Sequence, residues 1–270
     1  MGTGIAQLCA ASGFKTILYE SNNEILERSR SSLEKILVVL VEKNKITSEE
    51  KEKIFQRIHF SNYINECKGE IIIEAITENL NAKIELFSKL SAMNSNKAIL
   101  ATNTSSLSVS EIGNKISQPQ RVVGLHFFNP APVMKLVEIV KAEKTSDEIV
   151  QTIVSFSNQL GKTPVVCKDS PGFIVNRVAR PFYIESLRLV EEGFADFSRV
   201  DKLLEATGFK MGPFKLMDLI GNDINYAVSN SVYDQLNRPE RLKPSFIQKE
   251  KVEKGDLGKK TGKGYYTYNE

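Results

Sequence analysis

Two histidines occur in the 270-residue chain, and one of them is placed to do chemistry. His126 stands near the end of the apolar run VVGLHFF, which reads as a strand. The carboxyl edge of a parallel sheet is where such folds present reactive side chains. The turn NPAP leads into a second apolar run, MKLVEIV, whose only acid is Glu138. If the chain folds back symmetrically about Pro132, His126 and Glu138 are equidistant from the turn and face each other across the two strands. A carboxylate held against an imidazole fixes its tautomer and raises its basicity. His126 then suits the role of general base toward an alcohol. A core histidine satisfied by a nearby acid is the competing reading. His59, at a strand start beside a polar loop, reads as structural or exposed.

Two further polar groups interrupt apolar surroundings. The segment ATNTSS, residues 101–106, ends an apolar strand with hydroxyls and an amide at its carboxyl edge. Its plain alternative is capping of a helix beginning near Leu107. Asn176 lies inside the apolar helical segment GFIVNRV, where a buried amide must find a partner.

The elements that position these residues alternate. Strand candidates are Thr16–Tyr19, Ile71–Ile76, Ala98–Thr102, Val122–Phe127, Leu136–Val140 and Pro164–Cys167. Between them, Ile25, Leu26, Leu33, Ile36, Leu37 and Leu40 recur at helical spacing in one long helix. Ser48 reads as an N-cap with acidic residues in the following turn. Asn81–Met93 and Glu148–Leu160 read as two more helices. Strands alternating with helices imply βαβ units and a mainly parallel sheet. After about Ser170 the pattern becomes helical, over Phe173–Glu192, Ser198–Thr207 and Asp223–Leu236. Gly193, Gly208 and Gly221 fall where these helices should stop, and the tail GYYTY is the one strand candidate. The segment KDSPG divides the chain into an α/β domain, 1–169, and an all-α domain, 173–270.

The start, MGTGIAQLCAASGFKTILYE, reads as a helix, a turn and a strand ending in Glu20. In a dinucleotide-binding fold the first helix follows a strand and a G-x-G-x-x-G turn, and an acid after the second strand accepts the ribose hydroxyls. Gly2 fits the last glycine of that turn and Glu20 fits the acid, with no arginine after it, which favours NAD over NADP. A packing glycine and a surface carboxylate are the bland readings. The fold expected is therefore of Rossmann type with its first strand missing. In a sheet ordered 3-2-1-4-5-6 that strand is central. Buried unsatisfied backbone groups cost about 1–3 kcal/mol each, against a total stability of about 5–15 kcal/mol. Weak NAD binding and easy unfolding are the expectations for the chain as written.

Composition excludes several classes. Lys and Arg number 36 against 33 acids, a near balance that gives no general argument for nucleic acid or membrane binding. No apolar run approaches the length of a membrane span. Three widely spaced cysteines without a CxxC pair argue against a disulfide framework or zinc site and suit a reducing, cytoplasmic compartment.

The runs IIIEAITENLNAKIELFSKL, ATNTSSLSVSEI, GLHFFNPAPVMKLVEIV, GKTPVVCKDSPGFIVNRV, MGPFKLMDLIG and GKKTGKGYY resemble, in order and over nearly the whole chain, those of 3-hydroxyacyl-CoA dehydrogenases. HFFNPAPVMKLVE and DSPGFIVNR are the most specific. The resemblance implies oxidation of (S)-3-hydroxyacyl-CoA to 3-ketoacyl-CoA with reduction of NAD. By position it makes His126 the base and Glu138 its orienting partner, with Ser105 and Asn176 bonding the reacting oxygen. With Gly2 from the glycine-turn reading, it places Glu20, Glu78, Lys83, Ser105, Asn129 and Lys260 around NAD and Lys43 near the CoA, where a solvated lysine at a helix end is the alternative. It further implies a helical domain that closes over the acyl-CoA and forms a homodimer. It points to fatty acid β-oxidation or, since no hydratase is fused, short-chain butanoate metabolism. A catalytically impaired or non-catalytic acyl-CoA-binding relative is the second reading, motivated by the missing strand and glycine turn.

Overall fold

A computed structural model describes residues 1–268 of the chain. Two compact units form, Met1–Asp169 and the residues from Ser170 on.

The first unit runs α1 (Gly2–Ala11), β1 (Thr16–Tyr19), α2 (Asn23–Glu42), α3 (Ser48–Gln56), β2 (Ile58–Ser61), β3 (Ile71–Glu74), α4 (Leu80–Met93), β4 (Ile99–Thr102), α5 (Val109–Gly113), β5 (Val122–Phe127), β6 (Leu136–Lys141), α6 (Asp147–Gln159) and β7 (Thr163–Lys168). The strands form two sheets, a pair β1-β2 and a five-stranded sheet ordered β3-β4-β5-β6-β7. Neighbours pair in parallel except β5 and β6, which form an antiparallel hairpin. Helix α1 serves both sheets. Ile5, Leu8 and Cys9 pack into the core of the large sheet with Leu125, Val137 and Ile153. Ala6 and Ala10 pack on the other side with Leu18, Leu33, Leu37 and Ile58. The 3.6-residue period of a helix is what turns these two sets to different neighbours.

The strand bounds differ from the sequence reading in detail. β3 ends at Glu74, because the Glu74 carboxylate folds back to accept the N–H of Ile76 at 2.7 Å. β2, IHFS, was not among the expected strands; its four residues run buried, exposed, half-buried, buried, which gives no alternation to read. The N-cap of α3 is Thr47, one residue before Ser48. Thr47 Oγ1 accepts from Glu50 N while the Glu50 carboxylate accepts from Thr47 N, a reciprocal box that Ser48 is one position too late to make. Of the apolar stripe on α2, Leu26, Leu33 and Leu37 are buried, but Ile25 and Ile36 face solvent.

The second unit is helical: α7 (Val175–Glu191), α8 (Phe197–Ala206), α9 (Pro213–Ile220), α10 (Asn222–Gln235) and α11 (Phe246–Glu253). α9 and α11 add to the helices expected. α9 starts with Pro213 at its first position, where the missing N–H costs nothing. The tail GYYTY makes isolated bridges rather than a strand. Its backbone is instead collected by the buried Asp218, whose carboxylate accepts the N–H groups of Tyr265 and Tyr266 and the Tyr268 hydroxyl. Gly264 lies against that carboxylate so closely that any Cβ would overlap it. Among the described residues no helix is long and apolar enough to cross a membrane.

Candidate active site

The hairpin carries the first pair. β5 and β6 register as Gly124 with Val140, Leu125 with Ile139, His126 with Glu138 and Phe127 with Val137. Directly opposed residues of antiparallel strands project to the same face. His126 Nδ1 and Glu138 Oε2 are 2.8 Å apart, with side chains only 8% and 1% exposed. Several local features hold this geometry. Gly124 lets β6 come close, since a Cβ there would stand 2.6 Å from Val140 Cβ. In the turn, the N–H groups of Val133 and Met134 both bond Pro130 O at 3.0 Å. The buried Lys162 donates to the carbonyls of Ala131 and Met134 at 2.6 and 2.8 Å. Burial, with Lys135 nearby, pushes the Lys162 ammonium below its ordinary value. The Phe128 ring packs on the imidazole at 4.6 Å between centroids.

The carboxyl end of β4 lies beside this pair. Thr102 registers with Gly124, and Asn103 Oδ1 accepts the N–H of Phe127 at 2.8 Å, joining the ATNTSS segment to the residue after His126. Glu78 Oε1 collects the Thr104 hydroxyl at 2.5 Å and the N–H groups of Ser105 and Ser106 at 2.9 and 3.1 Å. Ser105 Oγ stands 3.3 Å from the same oxygen. Burial pushes the Glu78 carboxyl up, but the Thr104 hydroxyl, the Lys83 charge and the two N–H donors outweigh it and hold the group below its ordinary value. Lys83 is itself buried, bonded to Glu74 at 2.7 Å and 3.4 Å from Glu78. The cap of α5 is Ser108, whose hydroxyl accepts from Glu111 N. The hydroxyls of 104–106 therefore lie ahead of the cap of α5 rather than forming it.

The residues expected around a dinucleotide sit at helix and strand ends. The first intrahelical N–H bond of α1 is Ile5 to Met1 O, no side chain caps its start, and no acid lies in its first turn. Such a start suits a pyrophosphate through unpaired N–H groups and the helix dipole. Gly2 is the first residue of that helix. Glu20 follows β1, half-buried, accepting from Asn22 N at 3.1 Å. This donor-and-carboxylate set fits NAD. Asn129 and Lys43 are exposed, Lys43 as the C-cap of α2.

In the helical unit Asn176 lies in the first turn of α7. Its carbonyl accepts from Arg180 Nε at 2.9 Å, and Arg180 in turn reaches Asn225 O and Ser229 Oγ on α10. Burial pushes the Arg180 guanidinium down to about 10. Lys260 pairs with Asp223 at 2.6 Å.

Sequence reasoning missed Glu74, Asn103, Thr104 and Lys162. Asn103 and Thr104 were within the quoted segment but not distinguished in it. Neither Glu74 nor Lys162 carries a local signal, since a strand-end acid and a loop lysine usually face water. The cysteines offer no nucleophile: burial is the main cause that pushes Cys9 and Cys167 up to about 12 and Cys67 up to about 11. Among the described residues no group of three or more His, Cys, Asp or Glu is placed to hold a metal ion.

Comparison with known proteins identifies the family. Residues 1–170 match the family model described as 3-hydroxyacyl-CoA dehydrogenase, NAD binding domain, and residues 172–268 its C-terminal domain. The chain is 42% identical over 99% of its length to 3-hydroxyadipyl-CoA dehydrogenase of Escherichia coli, of which it spans 57%. It is 38% identical to the mitochondrial hydroxyacyl-coenzyme A dehydrogenase of Sus scrofa, covering 99% of this chain and 88% of that protein. The solved (S)-3-hydroxybutyryl-CoA dehydrogenase from Ralstonia eutropha superposes with a TM-score of 0.95 at 34% identity, covering 100% of this chain and 96% of that one. Matched in order from one end to the other, the chain belongs to the 3-hydroxyacyl-CoA dehydrogenase family, and its first unit is that family's NAD-binding domain.

Proposed function

We propose that the chain oxidises (S)-3-hydroxyacyl-CoA to 3-ketoacyl-CoA, with His126 as the base. The observation that carries this reading is the buried 2.8 Å contact between His126 Nδ1 and Glu138 Oε2. Glu138 holds the proton on Nδ1, which makes Nε2 the nitrogen that takes the proton of the 3-hydroxyl. As the ring becomes positive, the same carboxylate stabilises it. Ser105 Oγ and the Asn176 side-chain amide donate to the reacting oxygen, where fixed donors lower the cost of developing charge. NAD, when bound, supplies the acceptor for the hydride of C3. Gly2 and the start of α1 hold its pyrophosphate and Glu20 its adenosine ribose. Glu78, Ser105, Asn129 and Lys260 line the remainder, with Lys83 acting through Glu78. Lys43 meets the CoA.

The names of the relatives support a substrate class running from hydroxybutyryl to hydroxyadipyl thioesters. Short-chain use in butanoate metabolism or fatty acid β-oxidation follows from that class. A homodimer through the helical unit is supported by its exposed Val178, Phe194 and Leu203. Three free cysteines suit a cytoplasmic setting. The intact, fully paired hairpin gives no support to the impaired alternative.

The test is NADH formation from NAD and (S)-3-hydroxybutyryl-CoA. The native chain should turn over, and His126→Ala should lose roughly 10³-fold in kcat with an unchanged circular dichroism spectrum. A native chain that reduces no NAD, or a variant that keeps its rate, refutes the reading.

A further inference from the structure

Behind Lys83 and Glu78 lies a buried carboxylate, Glu74, to which the proposed chemistry gives no part. Glu74, the last residue of β3, and Lys83, in the first turn of α4, are 3% and 1% exposed. Glu74 Oε1 accepts from Lys83 Nζ and from Ile76 N, each at 2.7 Å, and its Oε2 accepts from Thr102 Oγ1 at 2.7 Å. One carboxylate thus ties together the ends of β3 and β4 and the start of α4. The Lys83 ammonium leans from there toward Glu78 Oε2 at 3.4 Å. The other Glu78 oxygen gathers the donors of Thr104, Ser105 and Ser106. An unbroken series of charge-assisted contacts runs from the strand end to the turn that bears Ser105.

A buried ion pair is weak evidence for a gain in stability, since it contributes little over well-packed apolar residues of the same volume. Its geometry does suggest a purpose. Lys83 stands between two carboxylates and is closer to Glu74. Without the Glu74 charge, the ammonium has only Glu78 to turn to. Drawing Glu78 toward Lys83 would loosen its other oxygen from the 104–106 turn. The bonds within each half are short and charge-assisted, and the 3.4 Å ion pair of Lys83 with Glu78 is the longer link that joins them.

We propose that Glu74 is a positioning residue for the reaction: by fixing Lys83 it sets Glu78, and through Glu78 the placement of the Ser105 hydroxyl. The proposal rests on the reading of Ser105 as a donor to the reacting oxygen.

The test compares Glu74→Gln in two backgrounds, with Ser105 present and with Ser105→Ala, in the NADH assay. Small misplacements of a reacting group are costly, so with Ser105 present kcat should fall about tenfold or more while KM for the acyl-CoA changes little. In Ser105→Ala the same substitution should cost less than about twofold, because coupled residues are not additive. Equal losses in the two backgrounds overturn the proposal. Ser105→Ala with an undiminished rate overturns the reading of Ser105 itself, and the proposal with it, and so separates the two failures. Should Glu74→Gln fail to fold, Glu74→Gln/Lys83→Met replaces the whole pair with neutral side chains. That variant should recover thermal stability yet remain slow in kcat, whereas a recovered kcat would make the pair merely structural and overturn the proposal.

Discussion

The β5–β6 hairpin and the β1–β2 pair belong to the same unit but hold their side chains under different constraints. Every residue of β5 is buried, and both hairpin strands have a further neighbour, β4 on one side and β7 on the other. In β1, by contrast, Ile17 is exposed and Leu18 is the one buried residue. His126 sits in the first setting and Glu20 follows a strand of the second. A proton transfer needs its partners held within about 0.5 Å, which ladders on both sides, a glycine contact and a braced turn can supply. Glu20, proposed for the ribose hydroxyls, is more open to solvent. The contrast that holds is one of burial: the imidazole and its carboxylate are enclosed, whereas Glu20 stands half-buried after the end of its strand.

Substitutions can break or sharpen that contrast. The largest effect after loss of the imidazole itself is expected at Glu138. Glu138→Gln keeps the volume but removes the charge that fixes Nδ1–H, and kcat should fall about 100-fold with little change in KM. An unchanged kcat would show that the precise region is not precise for the sake of chemistry. Glu20→Ala should act on affinity instead, raising KM for NAD about tenfold, the worth of one charged hydrogen bond, while kcat stays within about twofold. A comparable loss in kcat would erase the distinction between the regions. The smallest effect is expected from Thr47→Ala, which opens the capping box of α3. Thermal or urea unfolding should show a loss of about 1 kcal/mol without a change in kcat; a slower enzyme would mean that the second region is coupled to the first.

The hairpin was legible in the sequence because two apolar runs flank a proline turn, and a symmetric fold-back about Pro132 pairs the imidazole of one run with the acid of the other, as the register has it. Most other strands showed as β-branched runs bounded by turns, with ends off by a residue or two. β2 was not legible because IHFS has neither length nor a clean alternation, and a four-residue strand on a small sheet needs neither. α9 and α11 were missed although a proline at the first helical position and the Ser245 cap mark them. Each is only eight residues long, about two turns, too short for a helical period to stand out. Within the site, His126, Glu138 and Ser105 could be named from residue type and resemblance. Glu74 could not, because its meaning depends on Lys83 and Thr102 coming to it from other elements.

The central claim is that imidazole and carboxylate act as one unit. The measurement that tests it most directly is the single-turnover rate of NADH formation in His126→Ala, Glu138→Gln and the double variant. If the carboxylate works only through the ring, the double variant should be no slower than His126→Ala alone, since groups acting as a unit are strongly non-additive. A double variant slower by the full product of the two single losses would contradict the claim.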